Sequence, residues 1–322
     1  MIYRALGKTG VQVSQVGFGG WGIGKQLWKG SDDEESKDAL RAALETSVNF
    51  FDTALAYGHG HSERLIGQVL REARVEAIVA TKIPPLNMAW PAQGTLQEAF
   101  PEEHLRRCVG LSLENLERDS LDLVQLHVWN PDWMADGSWF KCLEDLRSAG
   151  QLRFIGVSAS DHEPDSVIEL VESGMVDTVQ VIYNIFDQSA ADRLFDVCLR
   201  RRVGVIARVP FDEGALTGNV TRQTRFPKKD FRNVYFDGAR RKQLEPRVDA
   251  LRELLGEDTK TLPEMALRFC LSHPAVSTVI PGMRSPRHVE LNVQATEKGA
   301  LTEELIEQLR AHRWNKNFYQ RA

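Results

Sequence analysis

Residues 49–63, NFFDTALAYGHGHSE, begin as an apolar run and end as a glycine-rich loop. Phe50 and Phe51 are apolar on consecutive positions, which is typical of a strand that is buried on both faces. The run ends on a carboxylate, Asp52, and Tyr57 follows in a loop of glycines and histidines. This stretch predicts a strand of a parallel sheet with two ionisable side chains beyond its end.

Seven further apolar runs alternate with helix-period segments along the chain. Together the runs predict eight strands: Val16–Gly19, Val48–Phe51, Ala77–Thr81, Leu121–Leu126, Phe154–Val157, Thr178–Ile182, Gly204–Ala207 and Ser277–Ile280. Helix-period segments lie between them, at Leu105–Leu116, Trp139–Leu146, Val167–Val171, Ala191–Leu199 and Met265–Leu271. Eight strand–helix units favour an α/β fold that closes as a (β/α)8 TIM barrel, a parallel eight-stranded barrel, over an open sheet.

Several local signals refine this prediction. Tyr3–Leu6 and Val11–Val13 predict an N-terminal β-hairpin ahead of the barrel. Residues 31–34, SDDE, fit a capping box opening at Ser31, and Pro101 fits the start of a second helix. Residues 209–243 are predicted to be a long irregular segment, which in a compact domain is usually functional or mobile. Without a linker or low-complexity break, residues 1–322 are predicted to form a single barrel domain.

Composition limits the classes of protein to which the chain can belong. The net charge of −5 and the pI near 6.0 argue against a nucleic-acid partner, and the mean hydropathy of −0.32 is typical of a soluble protein. No apolar run approaches the roughly 20 residues of a membrane helix, and the first residues lack a signal-peptide core. These observations predict a cytoplasmic protein without a membrane partner. The four widely spaced cysteines are predicted to be buried free thiols: Cys108, Cys142, Cys198 and Cys270.

Two motifs suggest other functions but lack the context that those functions need. Residues 17–22, GFGGWG, match the dinucleotide fingerprint G-x-G-x-x-G, yet two more glycines follow before any helix start. A Rossmann loop requires a helix that begins inside the motif. His59 and His61 suggest a metal site, but no third ligand stands at suitable spacing. We therefore predict neither a Rossmann fold nor a metal site, and a metal-dependent barrel hydrolase is disfavoured.

Three predicted strands end on polar residues, which are Asp52, Lys82 and His127. In a parallel barrel the carboxyl ends of all strands open onto one rim, where such barrels place their chemistry. An acid, an ammonium and an imidazole are therefore expected to converge there, together with Tyr57. Taken singly, each has a structural explanation: Asp52 as a turn cap, Lys82 as a surface residue and His127 as a core histidine. Their joint position favours a catalytic site.

The chemistry of this group follows from ionisation. A free tyrosine has a pKa of about 10, and a neighbouring ammonium lowers that value. We expect Lys82 to lower the pKa of Tyr57, with Asp52 keeping the lysine charged, and His127 to bind the substrate oxygen or aid proton exchange. Such a group suits a reaction that protonates an alkoxide as it forms. Reduction of a carbonyl by hydride is that reaction, and the hydride comes from a cofactor.

The chain resembles the aldo-keto reductases in segments that follow one another over nearly its whole length. They are Gly17–Trp21, Asp52–Glu63, Thr81–Lys82, Leu126–His127, Gly156–Ser158, Gln180–Asn184 and Ile280–Gly282. The resemblance implies a (β/α)8 barrel that binds NADP(H) in extended form at the carboxyl rim, without a Rossmann fold. It also implies Tyr57 as the proton donor, with Asp52, Lys82 and His127 as its partners.

The resemblance implies cofactor contacts as well. Ser158 and Gln180 match the positions that bind the nicotinamide carboxamide. Ala159 stands where most relatives have an asparagine, and Arg208 stands where many have a tyrosine that stacks on the nicotinamide ring. Arg284 is the predicted ligand of a 2′-phosphate, so NADP (as NADPH) is favoured over NAD. Asn292 matches the adenine contact, although Leu291 replaces the acid that usually precedes it. The full set of predicted cofactor residues is Gly20, Trp21, Asp52, Ser158, Gln180, Arg208, Val209, Pro210, Phe211, Gly214, Leu216, Gly282, Arg284, Arg287, His288 and Asn292.

The predicted function is reversible reduction of an aldehyde or ketone to an alcohol, with a small-molecule substrate. Trp21, Tyr57, His127 and Trp129 are predicted to line the substrate site, with Trp90 as a further candidate. An alternative is an NADP-binding regulatory subunit that resembles the β subunits of potassium channels and has little turnover. The resemblance implies a monomer or a weak homo-oligomer, and the substrate stays open among aldehydes, sugars, steroids and keto acids.

Overall fold

Eight strands pair with one another in chain order in the computed structural model, which describes residues 1–315. Every pair is parallel, and each connection between neighbouring strands contains an α-helix. The two ends of the sheet meet through parallel bridges from Val16 to Val279 and from Gly19 to Gly282. The predicted (β/α)8 barrel is therefore confirmed. The single-domain interpretation of residues 1–322 stays a prediction, and its last seven residues, 316–322, lie outside the described residues.

The strands are β1 Tyr3–Ala5, β2 Gln12–Ser14, β3 Phe18–Gly19, β4 Phe50–Asp52, β5 Ile78–Ile83, β6 Leu121–Leu126, β7 Leu152–Ser158, β8 Thr178–Ile182, β9 Gly204–Arg208 and β10 Val276–Val279. The α-helices are α1 Asp33–Glu45, α2 His61–Ala73, α3 Leu96–Ala99, α4 Glu102–Leu116, α5 Ser138–Ser148, α6 Ile168–Ser173, α7 Leu194–Arg201, α8 Arg232–Tyr235, α9 Ala239–Arg252, α10 Leu262–Ser272, α11 Pro286–Thr296 and α12 Glu303–Arg310. Among the described residues, no helix is both long and apolar enough to cross a membrane.

The predicted hairpin is confirmed, and it closes one end of the barrel. β1 and β2 pair antiparallel, with Arg4 opposite Val13. Leu6 and Val13 are fully buried and share an apolar cluster with Phe50, Leu123 and Ile206 of the barrel strands. The hairpin therefore seals the amino-terminal end, which leaves the carboxyl rim open to ligands.

Three local predictions differ from the structure in detail. The first barrel strand covers only Phe18–Gly19, because Val16 pairs through a single bridge. Helix α1 is capped by Asp32 rather than Ser31, since the Asp32 carboxylate accepts hydrogen bonds from the backbone N–H groups of Glu34 and Glu35 at 3.0 and 3.1 Å. The segment 209–243 is not irregular throughout: it holds a 3₁₀ turn, α8 and the start of α9. The four cysteines are buried and free, as predicted.

Candidate active site

Asp52, Lys82 and His127 come together at the carboxyl rim, at the ends of three neighbouring strands. Asp52 is the last residue of β4, Lys82 the fifth residue of β5, and His127 follows β6 directly. The strands pair in register, with Asp52 opposite Ala80 and Lys82 opposite Gln125. Sequence reasoning predicted this convergence from the strand ends alone.

The Lys82 ammonium is held by three oxygen atoms and lies close to a fourth. It donates hydrogen bonds to both carboxylate oxygens of Asp52 at 2.7 and 2.8 Å and to the backbone oxygen of Thr53 at 2.7 Å. The Tyr57 hydroxyl lies 3.4 Å from the same nitrogen. The lysine side chain is 0% exposed and that of Asp52 is 3% exposed. An ion pair so deeply buried is retained only with good geometry and further hydrogen bonds, and both are present here.

The loop that carries Tyr57 is built from tight backbone turns. The backbone N–H of Tyr57 donates to the backbone oxygen of Ala54 at 2.9 Å, and the backbone oxygen of Tyr57 accepts from the backbone N–H of Ser62 at 3.2 Å. Gly58 follows with φ 67°, and a Cβ at this position would lie 2.1 Å from the backbone oxygen of Gly24. Only glycine fits that contact, so this loop is locked against the loop after β3. The glycines of the opening stretch thus fix the phenol in place.

The environment of Tyr57 contradicts the expectation of a lowered pKa. Burial raises the pKa of Tyr57 well above its ordinary value of 10, and the negative charge of Asp52 raises it further. Arg208 acts in the opposite direction but does not compensate. The prediction of a lowered Tyr57 pKa was therefore wrong, because burial outweighs the nearby positive charges and the Asp52 carboxylate that holds Lys82 adds to the increase. Tyr57 is a neutral phenol across the physiological range.

His127 is also neutral. Burial, assisted by the positive charges of Lys82 and Arg208, lowers the pKa of His127 well below 6.5. Its ring lies edge to face with those of Tyr57 and Trp90, with centroid distances of 5.7 and 4.7 Å. The buried Nδ1 atom has no hydrogen-bond partner among the described residues. Such an orphaned polar atom fits a site that is completed by a ligand.

The predicted nicotinamide contacts stand on the same rim. Ser158 ends β7 and lies opposite Gln180 of β8, whose side chain donates to Asp52 at 2.6 Å. Arg208 ends β9, and its guanidinium donates to the Ala159 oxygen at 3.1 Å and pairs with Asp161. Asp161 was not foreseen from the sequence. The ion pair explains how an arginine is tolerated here, since Asp161 offsets its charge.

The loop after β9 has an unusual backbone. Val209, Asp212, Glu213 and Gly214 all have positive φ, of 57°, 46°, 55° and 103°. A β-branched valine in this region is a rare and strained conformation, of the kind that clusters at ligand sites. The Asn184 side chain donates to the Val209 oxygen at 2.9 Å and thereby holds it. The other predicted members of this loop lie in the same turn: Pro210 and Leu216 are buried, and Phe211 is half-buried.

The residues after β10 form a separate basic group. Gly282 is exposed, and no atom lies within 4 Å of a Cβ built on it. Arg284 is half-buried and donates to the Lys29 oxygen at 3.2 Å, with no acidic partner among the described residues. Arg287 and His288 are exposed in the first turn of α11, whereas Asn292 is buried on that helix. Open backbone and an unpaired arginine fit a phosphate group.

A comparison with protein-family models identifies residues 15–313 as matching the model described as "Aldo/keto reductase family". The match covers nearly the whole chain. The chain belongs to the aldo/keto reductase family. The oxidoreductase class and the TIM-barrel fold predicted from the sequence are thereby confirmed.

Relatives within the family differ in what their names describe. The aldo-keto reductase YhdN of Bacillus subtilis is 29% identical, with 90% of this chain and 87% of YhdN covered. The NADH-specific methylglyoxal reductase of Escherichia coli is 28% identical, with 90% and 92% covered. A probable voltage-gated potassium channel subunit beta from rice, Oryza sativa, is also 28% identical, with 97% and 96% covered. Among solved structures, the glycerol dehydrogenase of Gluconobacter oxydans matches with a TM-score of 0.80 at 26% identity, covering 98% of this chain and 97% of the enzyme.

The tryptophan predictions for this aldo/keto reductase hold only in part. Trp129 is 1% exposed and packs against Trp133 and Trp139, with ring centroids 6.0 and 5.4 Å away. The prediction that Trp129 lines the substrate site was therefore wrong, because its ring belongs to the apolar core. Trp21 and Trp90 are half-buried and lie against the Tyr57 and His127 rings respectively.

Two further aromatic residues of the rim escaped sequence reasoning. Trp28 and Phe231 each lie with their ring centroid 5.4 Å from that of Trp21. Phe231 belongs to the segment 209–243, and its backbone N–H donates to the Leu27 oxygen at 2.8 Å. No periodic signal in that segment marks this contact.

The two histidines that raised a metal question bind other groups. His61 lies 2.9 Å from an Asp33 oxygen, and His59 lies 3.5 Å from the Gln26 amide. Over the part of the chain that the structure describes, no group of three or more histidine, cysteine, aspartate or glutamate side chains is arranged to hold a metal ion.

Proposed function

We propose that this chain is a nicotinamide-dependent oxidoreductase that reduces an aldehyde or ketone to an alcohol, reversibly, with Tyr57 as the proton donor. One observation carries the proposal. A neutral phenol lies 3.4 Å from a buried ammonium and edge to face with a neutral imidazole, on the open rim of a barrel.

Each of these side chains has a distinct role in the proposal. Tyr57 keeps its proton until an alkoxide, a far stronger base than a phenolate, forms beside it. The proton then moves from the Tyr57 oxygen to the substrate oxygen, and the Lys82 ammonium stabilises the resulting phenolate electrostatically. Asp52 holds Lys82 charged and in place. His127, which is neutral, donates a hydrogen bond to the substrate oxygen and orients it.

The cofactor is proposed to be NADP(H). When bound, a reduced nicotinamide supplies the hydride that forms the new C–H bond. Ser158 and Gln180 would hold its carboxamide, and the loop Val209–Leu216 would hold its pyrophosphate. The segment that begins at Gly282 would bind its adenosine phosphate, and Asn292 would contact its adenine. Arg284 supports NADP over NAD, because an unpaired guanidinium suits a 2′-phosphate. Arg287 and His288 would add to this contact. The name of the Escherichia coli relative shows that a member of the family is specific for NADH.

A regulatory subunit is the second candidate, because the rice relative is named as a probable channel subunit beta. Such a protein would bind the nucleotide without steady turnover. The protein itself is proposed to act in the cytoplasm on a small molecule, as a monomer or weak homo-oligomer.

Steady-state consumption of NADPH and NADH over a panel of aldehydes and ketones tests the proposal. Sustained turnover of at least one carbonyl, with kcat/KM at least about 10⁴ M⁻¹s⁻¹, is expected of an enzyme acting on its proper substrate class. Tight nucleotide binding with no more than one oxidation per molecule would instead support the regulatory subunit.

A further inference from the structure

Glu63 is a fully buried acid that the proposed chemistry does not use. It is the third residue of helix α2 and is 0% exposed. One of its oxygens, Oε1, accepts hydrogen bonds from the hydroxyl groups of Thr81 at 2.6 Å and Ser112 at 2.7 Å. The other oxygen, Oε2, accepts from the side-chain amide of Asn115 at 2.8 Å. Thr81 lies on β5 and the other two partners lie on α4, so one side chain joins α2 to a barrel strand and to a neighbouring helix.

The three partners of Glu63 are neutral groups, and each of them donates. A carboxylate suits this arrangement because both of its oxygens accept hydrogen bonds. A glutamine of the same shape would fail whichever way its amide were turned. Its NH2 group would face either the NH2 group of Asn115 or two hydroxyl groups that need an acceptor. Burial of a carboxylate is costly, and the N–H groups at the start of α2 offset part of that cost. The position is therefore specific for an acid.

The same carboxylate connects the two side chains at the centre of the proposed reaction. Thr81 directly precedes Lys82, and successive residues of a strand point to opposite faces. Lys82 therefore points into the barrel, while Thr81 meets Glu63 outside it. On the other side, the backbone N–H of Ser62, the residue before Glu63, donates to the backbone oxygen of Tyr57 at 3.2 Å. Glu63 thus adjoins a direct partner of the Tyr57 loop and also binds the neighbour of Lys82.

Asn115 extends these contacts to the loop that carries Tyr57. Its side-chain nitrogen lies so close to Gly60 that a Cβ at that position would overlap it. Its side-chain oxygen accepts a hydrogen bond from Arg64 at 2.9 Å, and Arg64 also donates to the backbone oxygen of His59 at 3.2 Å. The residues that follow Tyr57 are therefore held against α4 as well as against β5.

The placement of α2 against β5 affects both the distance and the charge at the reacting centre. The Tyr57 hydroxyl lies 3.4 Å from the Lys82 ammonium, and the two groups belong to the two elements that Glu63 joins. Burial lowers the pKa of Lys82, whereas the negative charges of Asp52 and Glu63 act in the opposite direction. Glu63 therefore acts on the ammonium from behind the strand.

We propose that Glu63 is a positioning residue, which fixes the Tyr57 hydroxyl relative to the Lys82 ammonium by holding the first turn of α2 against β5. This inference rests on the proposed function and adds a residue to it. Proton transfer needs an accurately placed donor, and a displacement of about 1 Å can lower a rate about 10²-fold. The residues that would hold the carboxamide, pyrophosphate and adenine of the cofactor lie on or after β7 to β10. Loss of Glu63 should therefore affect turnover far more than nucleotide binding.

Glu63→Gln tests the assignment, because it keeps the shape of the side chain. We expect kcat to fall about 10- to 100-fold, with KM for the carbonyl and the affinity for NADPH nearly unchanged. The solvent deuterium isotope effect on kcat should increase, because transfer of the Tyr57 proton becomes slower. A loss of stability alone would move neither quantity once kcat is expressed per nucleotide-binding site. An unchanged kcat and isotope effect would overturn the inference.

A second substitution should restore the activity. In Glu63→Gln combined with Asn115→Asp, the new amide donates to the new carboxylate, so the donor and the acceptor exchange places and every hydrogen bond has a partner again. Arg64 keeps its acceptor at position 115. Most of the lost kcat should return, and a double variant no faster than the single one would contradict the inference. If Glu63→Gln does not fold, Ser112→Ala removes one donor only and should lower kcat in the same direction. An unchanged kcat in Ser112→Ala would then overturn the inference.

Glu264→Gln is the matched control. Glu264 is also a buried acid at the third position of its helix, α10, and it accepts from Lys298 at 2.8 Å. Its replacement should lower the urea midpoint of unfolding without a change in kcat per site or in the isotope effect.

Hydrogen exchange of the backbone amides of residues 57–62 gives a readout that needs no substrate. Exchange should be faster in Glu63→Gln and slow again in the double variant. Unchanged exchange would overturn the inference by itself. Absence of carbonyl turnover in the unmodified protein would instead contradict the proposed function.

Discussion

Asp52, and not Tyr57, holds the Lys82 ammonium: the carboxylate oxygens lie 2.7 and 2.8 Å from Lys82 Nζ, and the phenolic oxygen lies 3.4 Å away. The Lys82–Asp52 ion pair is therefore already formed before the proton of Tyr57 is transferred. The ammonium therefore does not ionise Tyr57 in advance, and its charge becomes useful only when a phenolate is generated next to it. This order of events determines several expected results.

Removal of the Tyr57 hydroxyl should abolish most turnover without damage to the fold. In Tyr57→Phe, Lys82 keeps three oxygen acceptors, so no buried charge loses its partner. We expect kcat to fall by about 10²- to 10⁴-fold, the range for loss of a general acid, with NADPH affinity unchanged. Stopped-flow measurement of NADPH oxidation and fluorescence titration of NADPH check the two parts. Turnover equal to that of the unmodified protein would exclude Tyr57 as the donor.

The pH profile of carbonyl reduction should be flat between about pH 6.5 and about pH 10, the ordinary pKa values of histidine and tyrosine. The pKa of Tyr57 is raised, so the phenol stays protonated throughout this range. The pKa of His127 is lowered, so the imidazole stays neutral. The measurement is kcat at saturating NADPH and carbonyl across this range. A fall in kcat with a midpoint between these two pH values would contradict the prediction. If that fall disappears in His127→Gln, the pKa of His127 is ordinary, and if it disappears in Tyr57→Phe, the pKa of Tyr57 is ordinary.

The Lys82–Asp52 pair allows stability and activity to be separated. Lys82→Met leaves a buried carboxylate without its cation, which should cost about 3 to 5 kcal/mol in the free energy of unfolding. Adding Asp52→Leu removes the unpaired charge, so the double variant should recover much of that loss. Neither variant should regain turnover, because the phenolate has lost its stabilising charge. Urea unfolding and steady-state kinetics measure the two effects, and a double variant that is active would contradict the role given to Lys82.

The pattern of strand ends predicted the positions of Asp52, Lys82 and His127 because strand polarity alone brings them to one rim. The protonation of Tyr57 was not predictable in the same way. It depends on how deeply the hydroxyl is buried and on which acid takes the ammonium, and both are three-dimensional quantities. Trp129 and Trp90 show the same limit. Both tryptophans follow strands, yet one faces the core and the other faces His127.

Arg284 should determine the preference between NADPH and NADH. Its guanidinium has no acidic partner in the described part of the chain and is therefore available to a phosphate. We expect Arg284→Ala to weaken NADPH binding by about 10- to 100-fold, the loss of one or two charge-assisted hydrogen bonds, and to leave NADH binding nearly unchanged. Arg310→Ala, at an exposed arginine of α12, is the matched control. Fluorescence titration with each nucleotide measures the ratio of the NADPH and NADH affinities. Equal losses of affinity for both nucleotides would indicate that Arg284 does not contact the 2′-phosphate.

Glu213 should make the stability of the fold depend on pH. Burial, together with the negative charges of Asp212 and Asp161, raises the pKa of Glu213 to about 8. An acid with a raised pKa binds its proton more tightly in the folded chain than in the unfolded chain, where the value is about 4.3. Its contribution therefore becomes steadily less favourable as pH rises from about 4.3 to about 8, and the full penalty is present above that range.

Glu213→Gln removes this ionisation and keeps the shape of the side chain. The thermal midpoint of the variant should exceed that of the unmodified protein at pH 9 by a few degrees, and the difference should vanish near pH 4. Asp212, which is paired with Arg240 at 2.8 Å, is unchanged in this comparison. Glu290→Gln, at an exposed position of α11, is the control. A midpoint difference that is the same at both pH values would mean that Glu213 ionises at its ordinary pKa in the folded protein.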